Sequence, residues 1–540
     1  MTRTRSWYVV WALALMLCSC AKVATPVRGG ENAWTVPGVL RVGDPEEPDS
    51  LNLMFGHTLA NSEIDCLLFS FLLRTDDNGN FIPDLATVVP TTQNGGISRD
   101  GKTITIHLRR GVRWSDGAPL TAGDWLFTYH AVLNPANNTK TNFGWDQIAS
   151  ASAPNPYLLV IHLKRPSVSA LDILTMAGAA YPPLPAHLLA KLPNINHAPF
   201  NDAPISSGPF ILKRWDHGSS LTFVANPLYF RGAPKLKEIV WNVVPDPNTL
   251  LDRLRAHEID LYASVNPAGV AQLSSIPGIT VTHRLVAWWE HLGINMRSPQ
   301  LSDPRVRAAI ALGVDWKRIL DTVYLGHGQP AVSDIFPQSW AAPKLPPYRY
   351  DPGAARRLLA QAGWRMGDDG VLHDGTLAMR LTISSTPSDE SNERAEILIQ
   401  SMLKPLGIDV QVHNYPASML FAQNGPIYSG KYDLEWSREI NGPDPDDSGN
   451  WDSRFIPPNG ADVSWLADPI VDRTSTDAAS TFDQKARQAL YQEEAARIRQ
   501  LNPAIFAFWY ESYFAYNSDL RNYRPAAFIG NAWNAWQWEI

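Results

Sequence analysis

The chain has 540 residues, a formal net charge of −7, and a composition that is 45% hydrophobic and 18% charged. A single core stops growing at roughly 250–300 residues, so this length demands at least two lobes, and the apolar content excludes a disordered chain. With negative net charge and no Lys/Arg run in the body of the chain, phosphate-backbone binding lacks its electrostatic footprint, which excludes nucleic acid as a partner.

The first twenty residues have the plan of a secretory signal, with Arg3 and Arg5 followed by an apolar run from Trp7 to Leu17. That run is shorter than the ~20 residues of a permanent membrane span. It ends in Leu17-Cys18-Ser19-Cys20, which resembles the bacterial lipobox and implies cleavage before Cys20 and lipidation of its thiol. An ordinary cleaved signal is the alternative. Residues 21–35 are polar and aperiodic, a tether between lipid and domain. If Cys20 is acylated, Cys66 has no disulfide partner, and its place beside Leu67-Leu68-Phe69 marks it as buried and inert.

The fold is expected to begin near Val36 with a strand at Val39–Val42 and a helix over Asn61–Leu73. Thr103–Leu108 alternates with period two and reads as a half-buried strand after the turn Arg99–Lys102. Thr121 is placed to cap a helix with Asp124 three residues on. Strands follow at Ser219–Ala225 and Glu238–Val244, a helix at Leu250–Ala256 and a strand around Ile259–Tyr262. Asp303 caps Pro304–Leu312 and Asp351 caps Pro352–Ala362, which stops at Gly363. A helix over Phe482–Gln500 and a strand at Ala504–Trp509 complete the pass, an interleaving of α and β without repeats. The 20 Trp suit a large core first and a solute cleft second; the 43 Pro suit long ordered loops.

Signatures of catalysis and metal binding are weak. Gly96 to Thr103 matches the P-loop spacing, but a P-loop must open a helix, and here a strand follows. There is no Gly-x-Ser-x-Gly elbow, no His-Glu-x-x-His helix and no Cys-x-x-Cys pair. Asp444, Asp446 and Asp447 suggest calcium until the position eleven after Asp444 proves to be Phe455, so they read as a solvated acidic turn. His57, His107 and His291 lack ligand spacing, and no cofactor is expected.

Several segments resemble the family 5 extracellular solute-binding proteins, the dipeptide-, oligopeptide- and nickel-binding components of ABC importers. The most specific runs from His107-Leu108-Arg109-Arg110-Gly111-Val112-Arg113-Trp114-Ser115-Asp116-Gly117 to Leu120-Thr121-Ala122-Gly123-Asp124-Trp125. Ser207-Gly208-Pro209-Phe210, Asn226-Pro227-Leu228-Tyr229, Asn295 with Asp303–Ala309, Asp351–Gly363, Leu406-Gly407-Ile408 and Lys431-Tyr432-Asp433 follow in the family's order. The resemblance implies a two-lobed α/β periplasmic-binding-protein fold of type II, cluster C-like, with a hinge and an extra subdomain. Lobe 1 is expected over 36–70, 200–283 and 507–540, the extra subdomain over 71–199 and lobe 2 over 284–506. It further implies a monomer outside the cytoplasm, in periplasm or at the cell surface, lipid-anchored, closing on a peptide and delivering it to ABC importer permease subunits.

By the same resemblance, an aspartate in Trp-x-x-Asp before an Asp-Pro-Asp loop holds the peptide's ammonium. Here Trp436-Ser437-Arg438-Glu439 precedes Ile440-Asn441-Gly442-Pro443-Asp444-Pro445-Asp446, so alignment on Trp436 makes Glu439 the anchor and alignment on Asp-Pro-Asp makes it Asn441. Trp288 and Trp289 precede the Asn295 strand, and alternation lets only one of them point to a given face. The candidate ligand-binding set is therefore Glu439, Trp436, Asn441, Asp444, Trp288, Trp289 and Asn295. No catalytic pair is recognisable; a binder of sugars or metal chelates, or an exported hydrolase, is the alternative reading.

Overall fold

The computed structural model of the chain describes residues 32–142, 144–176, 180–265, 269–387, 390–528 and 530–540. The expected signal, Cys20 and the tether up to Glu31 lie outside the described residues.

An eleven-stranded sheet forms the frame. In chain order its strands are β1 (Val39–Asp44), β2 (Phe210–Asp216), β3 (Ser220–Ala225), β4 (Glu238–Val243), β5 (Leu261–Val265), β6 (Ile279–Ile294), β7 (Gly328–Pro330), β8 (Arg380–Ser384), β9 (Asp409–Val412), β10 (Leu434–Ile440) and β11 (Ala504–Asn517). Side by side they run β9-β8-β10-β6-β11-β5-β1-β4-β3-β2, with β7 also against β11. β1 is parallel to β4 and β5, and β8 is parallel to β9 and β10.

Two strands tie the halves together: β6 with 16 residues and β11 with 14. Ile279–Leu285 pairs with Glu511–Asn517, Trp289–Gly293 pairs with Ala504–Trp509, and the register breaks between Leu285 and Trp289. An irregularity of this kind bends a strand and ends regular pairing, so the sheet has a waist here. Ala287, inside the break, donates its N–H to Ala527 O at 2.7 Å and accepts from Asn441 N at 2.9 Å.

Separate cores lie on either side of the waist. One joins Leu40, Phe223 and Trp241 to Trp114, Trp125 and Trp145. The other packs Leu292, Leu381, Val410 and Trp436 under β6, β8, β9 and β10. A third gathers Trp289, Phe506, Trp509 and Phe528 at the waist itself. Much of the tryptophan surplus is thus core.

The caps read from the sequence are made: Thr121 and Asp124 form a reciprocal box, and Asp303 and Asp351 accept from Arg305 N and Ala354 N; Asp483, not read beforehand, likewise accepts from Ala486 N. Gly208 lies so close to the end of the Leu59–Leu68 helix that a Cβ would sit 2.6 Å from Leu67 O, which explains a glycine in that turn. Cys66 is buried beside Met176, and burial pushes its thiol well up. The helix expected over Leu250–Ala256 is Pro247–Arg255, started earlier by its Asp246 cap, and two further shifts have long-range causes. The helix expected over Asn61–Leu73 is Leu59–Leu68, because the Asp84 carboxylate takes the Phe71 N–H at 2.9 Å and the Arg74 side chain at 2.7 Å, drawing the chain out of the helix. The strand expected at Ile259–Tyr262 begins at Leu261, since Asp260 is spent on Arg41, accepting from its N at 2.9 Å and its Nε at 2.8 Å.

Candidate functional site

β10 ends at the waist, and its register against β6 sets which side chains meet. Trp288 opposes Ile440, Trp289 opposes Glu439, Glu290 opposes Arg438, His291 opposes Ser437 and Leu292 opposes Trp436. Period two then sorts these into two faces. On one lie Glu439, Ser437, Glu435, His291 and Trp289; on the other lie Ile440, Arg438, Trp436, Trp288 and Glu290.

Glu439 reaches solvent, and among the described residues nothing hydrogen-bonds or ion-pairs with its carboxylate. The protein around it nevertheless desolvates it and raises its pKa above the ordinary value; His291 opposes that shift and Glu435 adds to it. His291 is buried and meets Glu435 at 3.3 Å. Burial alone would lower its pKa, but the Glu435 hydrogen bond and the charges of Glu435, Glu439 and Glu290 outweigh burial and raise it. On the opposite face Arg438 lies 3.2 Å from Glu290 and 4.0 Å above the Tyr510 ring, with Trp288 at 5.9 Å. Tyr510 also bonds Glu290.

β8 pairs with β10 only at Leu434 and Glu435. Among the described residues no strand runs along that outer edge from Ser437 to Ile440. An unaccompanied strand edge beside an unpaired carboxylate is an arrangement that accepts an extended chain with a cationic end.

The other candidates are placed differently. Asn441 is a structural tie: its Oδ1 accepts from Trp289 Nε1 at 2.8 Å, and its Nδ2 donates to Asp334 O. Trp436 is 1% exposed, stacked on Trp316 in the core, and Trp289 is 1% exposed in the waist core. Trp288 is the half-buried one of the pair. Asn295 is buried and donates to Gly430 O and Tyr432 O at 3.0 and 2.7 Å. Asp444 corrects the reading of a solvated acidic turn: its carboxylate is held by Arg487 through bonds of 2.7 and 2.6 Å, and both side chains are largely buried. Glu439 and Trp288 are therefore the two candidates left facing out. The sequence reading gave no site role to Glu290, His291, Glu435 and Arg438, whose signal was the alternation inside Trp-Trp-Glu-His and Glu-Trp-Ser-Arg-Glu, nor to Tyr510, which lies beyond the strand bound read at Trp509.

Away from the waist, Val168 N donates to Ala479 O at 2.8 Å; in the waist core, Phe336 packs edge-on against Phe528 with ring centroids 5.5 Å apart.

A two-lobed α/β frame with a bent pair of crossing strands is the architecture of hinged solute receptors. Residues 80–460 match the family model described as bacterial extracellular solute-binding proteins, family 5, middle, and the chain belongs to that family. It is similar to the oligopeptide-binding protein AppA of Bacillus subtilis, 26% identical over 529 residues that cover 96% of this chain and 95% of AppA. Protein XP55 of Streptomyces lividans is 30% identical over 414 residues, covering 76% of this chain and 72% of XP55. The structure of B. subtilis AppA in complex with a nonapeptide superimposes with a TM-score of 0.77 at 25% identity, covering 93% of this chain and 99% of AppA. NikZ of Campylobacter jejuni in complex with Ni(L-His) gives a TM-score of 0.78 at 25% identity, covering 94% of this chain and 100% of NikZ.

Proposed function

We propose that this protein captures peptides outside the cytoplasm and delivers them to the permease subunits of an ABC importer, without catalysis. The carrying observation is the Glu439 carboxylate at the waist end of β10, unpartnered among the described residues, beside a strand edge along which no described strand runs. A peptide's main chain adds to that edge, its ammonium pairs with Glu439, and Trp288 lines the entrance. Contacts to both lobes form only when the cleft shuts, so the ligand favours the closed state. Within this reading lobe 1 comprises 36–70, 200–283 and 507–540, residues 71–199 form its extra subdomain and lobe 2 comprises 284–506. The bend between Leu285 and Trp289 supports a hinge near the 283/284 and 506/507 boundaries. Cys20 carries the lipid anchor, and the protein acts as a monomer.

Native mass spectrometry of the protein as purified, then after exchange into a defined mixture of tri- to nonapeptides, tests the reading. Intact peptides carried with the protein are expected. Shortened peptides point to a hydrolase, and retention of a sugar or a metal chelate with no peptide binding overturns the peptide assignment.

A further inference from the structure

We infer that a cavity in the 71–199 segment is an anion site built for a phosphate group, separate from the peptide edge. The cavity, of about 640 Å³, lies where the strand Thr103–His107 meets the hairpin turn at Tyr157, with Phe230 on its flank. Arg109 and Arg110 both line it, and none of its lining side chains is acidic. The Arg109 guanidinium lies 5.5 Å from the Phe230 ring centre and the Arg110 guanidinium 4.9 Å from that of Tyr157. Aromatic faces hold such planar forks in place without neutralising them.

The local charge count is unbalanced. Arg109 donates through Nε to the Asp84 carbonyl at 2.7 Å, and among the described residues neither Arg109 nor Arg110 has a carboxylate partner. The nearby Asp84 carboxylate is already shared by Arg74 at 2.7 Å and Arg231 at 3.1 Å. Arg231 covers Phe230 as well, at 5.0 Å, so that ring lies against two guanidiniums. The Asp84 carboxylate is thus taken up by two other arginines, and Arg109 and Arg110, without a carboxylate partner among the described residues, line the cavity. His107 and the Thr87 hydroxyl add polar groups to its wall. Two forks on one cavity suit a dianion with several acceptor oxygens better than a single carboxylate. The phosphate can belong to free inorganic phosphate or to a phospholipid headgroup, and the cavity is open enough for either.

The test titrates the full chain with inorganic phosphate by calorimetry at low salt and, separately, sediments it with vesicles containing phosphatidylglycerol. The Arg109→Gln/Arg110→Gln double variant is compared with Arg113→Gln, whose side chain bonds Gly117 O outside the cavity lining. Saturable binding that weakens with added NaCl, falls at least tenfold in the double variant and persists in Arg113→Gln is expected. Phosphate binding assigns the free anion; vesicle binding without it assigns the headgroup. If the double variant melts early, Arg110→Gln alone is used, since among the described residues no hydrogen bond holds that guanidinium. The inference fails if the parent binds neither probe, or if the Arg109/Arg110 variants bind like the parent or like Arg113→Gln.

Discussion

Replacing Glu439 by Gln keeps the side chain's shape and removes its charge, which makes it the sharpest probe of the peptide edge. Removing one member of a desolvated charge pair costs about 3–5 kcal/mol. Glu439 keeps contact with solvent, so screening discounts the loss to about 2–3 kcal/mol, roughly 30- to 150-fold in Kd at 1.4 kcal/mol per decade. Calorimetry with a free tripeptide should show that loss, and the same peptide acetylated at its N-terminus should bind parent and variant alike. The pH profile supplies a second readout. Desolvation, reinforced by Glu435 and opposed by His291, holds the Glu439 carboxyl above its ordinary pKa. Only the carboxylate can pair with an ammonium, so affinity is full above that raised pKa and falls as pH drops through it, starting at a higher pH than an exposed glutamate would give. Glu439→Gln should lose this component. Unchanged tripeptide affinity in Glu439→Gln, with equal binding of acetylated and free peptide by the parent, would refute the anchor.

Three further outcomes are expected. Asn441→Ala strips the Trp289 indole N–H of its partner at a 1% exposed tryptophan and should cost about 1–3 kcal/mol in stability, read as a lower Tm, with peptide affinity nearly intact. Glu396, fully buried, has its pKa raised by desolvation from 4.5 to about 7, so the folded state keeps a proton that the unfolded state loses, and stability falls as pH rises through that window by up to roughly 3 kcal/mol. Glu396→Gln should therefore match the parent near pH 4 and melt higher at pH 8. Cys20→Ala should move the protein from membrane to soluble fractions, because lipid chains contribute about 0.8 kcal/mol per buried CH₂.

How legible this chain is depends on the range over which each signal acts. Caps depend on residues two or three apart, so Thr121, Asp303 and Asp351 could be read directly, and the bounds expected for the Asp303 and Asp351 helices held within a residue. The helix after Asn61 was overrun because its stop comes from Asp84, thirteen residues beyond Phe71, and no local pattern announces that carboxylate. The crossing strands were the largest loss. β11 was read only to Trp509, yet it continues to Asn517, and the full extent of β6 from Ile279 went unread. A strand that passes from one core to another changes which face is buried as it crosses the waist, so its alternation breaks at Leu285–Trp289.

The same argument explains why the structure gives the candidate residues different surroundings. Trp436, Asp444, Asn295 and Asn441 lie near the site in sequence, but each makes a contact that holds the site's frame: Trp436 on Trp316, Asp444 on Arg487, Asn295 on the Gly430 and Tyr432 carbonyls, and Asn441 between Trp289 and Asp334. A motif marks residues committed to the frame and residues that face out with equal force. Distinguishing them needs the hydrogen-bond ledger of each polar atom. By that criterion Asn441 has both ends of its amide committed, whereas the Glu439 carboxylate has a raised pKa and no partner among the described residues. Under the proposed peptide reading, a cation that pairs with Glu439 offsets the desolvation its raised pKa records.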